Sequence, residues 1–141
     1  MLIREGALGN HSDLVVSPQH GMLMQYRGAE VLARARHLAQ AGTGAVRICK
    51  GRRSIGYHHI VLAQHGLIWA NGAPSETLYP GRMALQALGS LVQMDLAAHV
   101  PVLRPLFAGQ ADVAQVYGPT VRPFLAKASV GFAKAVKLIA A

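Results

Sequence analysis

The feature that most constrains this chain is its punctuation: up to residue 72 the apolar residues come in short runs, most of them closed within a few positions by Gly, Pro or Asn. Runs of that length suit a strand crossing a sheet and are too short for an average helix. Residues 13–17 (DLVVS) and 21–26 (GMLMQY) read as two strands with a sharp break at Pro18, Gln19 and His20, and Arg27 with Gly28 makes the next turn. Residues 30–33 (EVLA) read as a further strand, and 34–38, free of Pro and Gly, can run on into a helical turn. After a loop at 42–44, residues 45–49 (AVRIC) and 54–63 (SIGYHHIVLA) suggest a hairpin around Lys50, Gly51, Arg52 and Arg53. Residues 65–70 (HGLIWA) form one more strand, ended by Asn71-Gly72, a dipeptide suited to positive φ.

Beyond Pro80 and Gly81 the period changes. Leu85, Leu88, Val92 and Leu96 recur every three to four residues, as on one face of a helix. Pro101, Pro105 and Pro119 interrupt a connection that carries no clear periodicity. From Phe124 onward, Leu125, Phe132, Val136 and Ile139 can share a helical stripe, with Lys127, Lys134 and Lys137 elsewhere, although Gly131 costs such a helix about 1 kcal/mol. The expectation is a single mainly β unit over residues 1–81 and a helical extension of the same domain over 82–141. A chain of 141 residues is long enough for one real core.

Composition removes several classes of function. Hydrophobic residues at 52% and charged ones at 14% argue against disorder. Every apolar run is broken before it reaches the length of a membrane span, so no transmembrane segment is expected. Residues 1–10 lack the apolar stretch of an export signal. Cys49 is the only cysteine, which excludes an internal disulfide and a zinc site with several cysteines in one chain. The formal charge of +8 allows affinity for anionic partners. However, Arg47, Lys50, Arg52 and Arg53 cluster at one turn without stacking aromatics, so a solvated basic face is favoured over a specific nucleic-acid site. His58, His59 and His65 raise the question of a metal, but no neighbouring acid or thiol completes a ligand set. Hydrogen-bonded histidines are the expectation, with no metal and no cofactor.

One short segment carries chemistry. In 16–20 (VSPQH), a hydroxyl and an imidazole stand three residues apart at the break between two strands. By itself this is a hydroxyl capping a turn and a half-buried histidine bonded to backbone. The spacing also resembles the Thr-x-x-His motif of Hint (Hedgehog/intein) domains, with Ser in place of Thr. Residues 57–78 (YHHIVLAQHGLIWANGAPSETL) resemble the paired strands near the end of those domains, notably in a bacterial subgroup with a Tyr-x-His start and a Pro-Ser-Glu finish. Residues 2–10 (LIREGALGN) and 30–39 (EVLARARHLA) fit the same subgroup, so the resemblance covers 2–81. A weak echo follows at Tyr117-Gly118-Pro119 and Arg122-Pro123.

The resemblance implies a Hint-like, all-β fold, present in part and followed by C-terminal helices. It implies an intramolecular acyl shift in which Ser17 and His20 grip the peptide bond next to a Cys or Ser nucleophile, with His65 assisting. Histidine suits the step because it changes protonation near neutral pH and can donate to the departing amide nitrogen. A complete domain carries its nucleophile well upstream of this motif. The chain is therefore expected to be N-terminally truncated, inactive alone, and partnered by an N-terminal Hint segment or an upstream chain. Cys49, in a probable strand, is not expected to substitute. The absence of an intein-type His-Asn end points to the Hedgehog type, which cleaves without splicing. The competing reading is a binding module whose exposed strand edges accept a partner.

Overall fold

The computed structural model describes residues 1–42, 44–51, 54–86 and 88–135. These form two compact units, the first made of Met1–His58, Leu67–Glu76 and the described residues from Arg122 on, the second of His59–Gly66 and Thr77–Val121. In the first unit the order is β1 (Leu2–Ile3), β2 (Leu14–Val15), β3 (Gly21–Tyr26), β4 (Ala29–Arg34), α1 (Ala35–Gln40), β5 (Val46–Arg47), β6 (Leu67–Ala70) and β7 (Ala73–Glu76). The second unit holds α2 (Arg82–Gln86), α3 (Ser90–His99), α4 (Arg104–Phe107) and α5 (Val113–Tyr117). The chain then returns to the first unit, where β8 (Lys134–Ala135) follows a 3-10 helix at Lys127–Phe132. The fold is mainly β, with helices concentrated after residue 80, as the sequence implied.

Among the described residues the named strands pair antiparallel and fall into two sheets, β2-β1-β5 and β4-β3-β7-β6 with β8 also on β3. The β3–β4 hairpin turns at Arg27 and Gly28 with φ of 51° and 81°, and the β6–β7 hairpin at Asn71 and Gly72 with φ of 50° and 86°. Both loops have two residues with positive φ, the geometry that matches the right-handed strand twist. The core of this unit is the cluster around Ile3, Met22, Met24, Val31, Ala33 and Val46, with Leu38 of α1 and Val130 packed into it. Burial of such side chains stabilises by about 1.5–3 kcal/mol each before entropy is counted.

Several expectations are corrected. Residues 45–49 and 54–63 form no hairpin: Val46 pairs with Ile3, and 54–63 has no strand. That run is exposed at nearly every position, so neither alternating face has a core to bury, and β1 offers Val46 a better partner. The strand expected over 65–70 begins only at Leu67, with His65 ahead of it. Strand β7 was hidden by Pro74, which sits at a position opposite Trp69. The helical stripe from Leu85 to Leu96 falls on two helices, because Gly89 takes extended backbone as the N-cap of α3. Helix α3 has no buried residue, and Leu91 and Met94 are 80% and 69% exposed.

No α-helix covers 124–135 either: a 3-10 helix takes Lys127–Phe132, and β8 follows it. Leu32 donates its N–H to Pro123 O at 2.9 Å and accepts from Leu125 N–H at 2.8 Å, which draws this stretch beside β4 as extended chain. Val136, Lys137 and Ile139 of that expected helix, and Arg52 and Arg53 of the basic cluster, lie outside the described residues. Among the described residues no helix is long and apolar enough to cross a membrane.

Candidate functional site

Ser17 to His20 make a tight turn between β2 and β3. Pro18 sets φ for the second position, and His20 N–H donates to Ser17 O at 3.2 Å. The turn is held from outside as well. Ala35 N–H donates to His20 O and Arg36 N–H to Pro18 O, both at 2.9 Å. Those two donors are the first of α1, whose N-cap, Arg34, has no side-chain cap, so the carbonyls of the turn satisfy groups that a helix start leaves open. Ahead of Ser17, Val16 is buried and pairs with Met1, donating to its carbonyl at 3.0 Å while accepting from its amino group at 2.6 Å. After His20, Gly21 N–H donates to the Glu76 carboxylate at 2.6 Å. Ser17 and His20, both half-buried, are thus brought together on one backbone corner anchored at each end.

Beside the corner lies a largely apolar groove of about 760 Å³, lined among others by Met1, Pro18, Arg36, Val46, Arg47 and Lys50. Its charged lining is entirely cationic. His37, one residue beyond Arg36, is buried and accepts at Nε2 from Arg36 Nε at 3.2 Å. Burial holds its pKa below the ordinary histidine value, with Arg36, Arg34 and Lys127 adding to the effect. Cys49 is a free, half-buried thiol.

A family model for the Hint domain matches residues 1–82. The chain belongs to the Hint domain family. No curated protein and no solved structure matches it.

In this Hint domain His65 lies in the second unit and has a different setting from His20. It is buried, its Nε2 is 3.1 Å from Thr77 O, and its Nδ1 accepts from Val121 N–H at 2.9 Å. Both bonds together require the proton on Nε2. The ring edge meets Tyr79 at a centroid separation of 5.1 Å, and Tyr79 meets Tyr117 at 5.9 Å. Tyr79 Oη donates to Gly118 O at 2.8 Å and Tyr117 Oη to Leu62 O at 2.7 Å. Burial raises the pKa of both phenols; Asp112 adds to the rise at Tyr79, and at Tyr117 the Leu62 hydrogen bond opposes it.

Sequence reasoning passed over Tyr79 and Glu76. Tyr79 has no pattern around it to announce a ring cluster. Glu76 did carry a signal, an acid closing the β6–β7 hairpin of a basic chain, but only the sheet register sets it against Gly21. Among the described residues no group of three or more His, Cys, Asp or Glu could hold a metal ion.

Proposed function

We propose that this Hint domain supplies the Ser17–His20 half of a self-processing centre and acts by intramolecular acyl transfer followed by peptide-bond cleavage. The nucleophile, a Cys or Ser side chain, comes from an N-terminal Hint segment or upstream chain, and residues 1–141 alone do not turn over. The nucleophile's sulfur or oxygen attacks the preceding carbonyl carbon, and a thioester or ester forms. The C–N bond breaks as the amide nitrogen takes a proton from His20, the proton given up by the nucleophile restores the histidine, and water then hydrolyses the thioester or ester to release the upstream chain. Ser17 orients the scissile amide through its hydroxyl, and His65 assists.

The observation that carries this reading is the fixed corner: the main chain from Ser17 to Gly21 is bonded to α1 on one side and to Glu76 on the other. Catalytic groups held on an ordered scaffold lose little entropy on reaching the reactive geometry. Residues 82–141 are read as an extension of the same domain. The cationic, apolar groove beside Pro18 suits an incoming chain segment.

The test is the mass of the polypeptide made from its native locus with the upstream coding region intact, compared with His20→Ala. Cleavage ahead of a Cys or Ser, abolished by the substitution, is the expected result. A product that His20→Ala leaves unchanged overturns the reading.

A second reading, an interaction module on the Hint scaffold, has one observation in its favour. Strand β6 ends its sheet, and Trp69 on it is 58% exposed. Such an edge can accept a partner strand. Binding of a partner with no cleavage in the same experiment would favour it.

A further inference from the structure

Glu76 is the one buried acid among the described residues, and the reaction above does not use it. It closes β7. The antiparallel pairing of Met22 with Ser75, carried one step on, sets Gly21 opposite it. Its Oε1 accepts the Gly21 N–H at 2.6 Å, short even for a bond to an ionised acceptor. Glycine at 21 leaves space and is not there for its φ: a Cβ would stand 2.8 Å from Glu76 Cδ and 2.9 Å from Oε1, so the carboxylate would have to move. Glycine weakens a strand interior, so its presence marks the close approach of the carboxylate. The amide that the carboxylate holds is the peptide unit joining His20 to Gly21. His20 Cα is only two bonds from that nitrogen, and the negative charge lies within a few ångströms of the imidazole's point of attachment.

Among the described residues, Arg34 and Arg36 border this corner, and the Met1 amino group donates to Val16 O just ahead of it. Arg34 is the register partner of Gly21 on β4, but its guanidinium lies over the Phe124 ring at 4.4 Å. Arg36 holds Pro18 through its main chain and turns its Nε to His37. Strand β2 brings no ionisable side chain. Glu76 thus sets a buried carboxylate at a corner bordered by two arginines. A neutral acceptor would secure the Gly21 N–H equally well, whereas a buried carboxylate is costly unless its charge is used.

We propose that Glu76 is a positioning residue for the Hint reaction: it fixes the His20–Gly21 peptide, and its charge favours the protonated His20 imidazole that gives a proton to the departing amide nitrogen. The proposal rests on the self-processing reading, and its first test does not need turnover. In the full chain, the ring nitrogens of His20 are titrated by NMR. His20 is expected to titrate above the ordinary histidine value of about 6.5. Glu76→Gln, which keeps an acceptor and removes the charge, should lower that midpoint by about one pH unit. Glu30→Gln, at an acid that pairs with Arg122 at 2.7 Å, should leave it in place.

A wild-type midpoint at or below about 6.5, or one that Glu76→Gln does not move, overturns the proposal. If Glu76→Gln does not fold, the wild-type midpoint still decides, and Gly21→Ala gives a second route. Its Cβ drives the carboxylate away and should lower the midpoint in the same direction. With an upstream nucleophile segment supplied, the alkaline limb of cleavage should move to lower pH in Glu76→Gln by the same amount. A shifted titration with no cleavage even in the wild type would sink the reaction and leave the Glu76–His20 coupling standing.

Discussion

His65→Ala separates what that residue does for stability from what it does for chemistry. The substitution removes a buried ring that joins Thr77 O to Val121 N–H. Thr77 is only 1% exposed, so its carbonyl loses a partner that water replaces poorly, at a cost of about 2 kcal/mol. Val121 is half-exposed and can bond to water instead, so its share is about 1 kcal/mol. The vacated ring volume and the lost edge contact with Tyr79 add about 1 kcal/mol more. The expected loss is therefore about 4 kcal/mol, equivalent to a fall in Tm of about 15 °C for a chain of this size. The assay is urea denaturation followed by circular dichroism, with amide exchange at Val121 as the local probe. His65→Gln, which can still donate to Thr77 O, should recover about half of the loss. His58→Ala, at an exposed histidine, should cost less than about 0.5 kcal/mol. A His65→Ala loss below about 1 kcal/mol with Val121 protection unchanged would refute the reasoning. Any effect of this variant on processing must accordingly be scored per folded molecule.

Three other outcomes are expected. Ser75 is fully buried on β7 and its Oγ has no hydrogen-bond partner among the described residues, so Ser75→Ala should stabilise by about 1 kcal/mol in thermal melts. Asp112 caps α5 through bonds to Ala114 N–H and Gln115 N–H at 2.7 and 3.1 Å, and Asp112→Ala should cost about 1 kcal/mol in the same assay. The depressed pKa of His37 means that the unfolded chain takes up a proton first as pH falls. Its contribution is therefore intact above the unfolded value of about 6.5 and is lost as pH drops toward and through the lower folded value. His37→Leu should flatten the acid side of the stability profile in that window, and an unchanged slope would count against the buried, cation-flanked setting.

The sequence by itself determined the elements whose causes are local. Gly21–Tyr26 and Ala29–Arg34 pair around a two-residue turn that the chain announces with Gly28, and Asn71-Gly72 bends the second hairpin because both residues tolerate positive φ. The Ser17–His20 corner was legible for the same reason, since Pro18 breaks the chain between two apolar runs and the motif spacing is short. The tertiary structure alone decided which runs find partners. Residues 54–63 look like a strand but have no core to face, whereas 123–125, next to a helix-like pattern, are drawn beside Leu32 by two main-chain hydrogen bonds. It also decided the roles of isolated polar groups. His65 and Glu76 stand eleven residues apart in a similar apolar context. One is held by two backbone groups and the ring of Tyr79, while the other is aimed at the amide beside His20. Hydrophobic period and turn chemistry act over a few residues and can be read along the chain. Burial, register and the charge surrounding a side chain depend on segments more than fifty residues away, such as Gly21 and Glu76, and exist only once the sheets have formed.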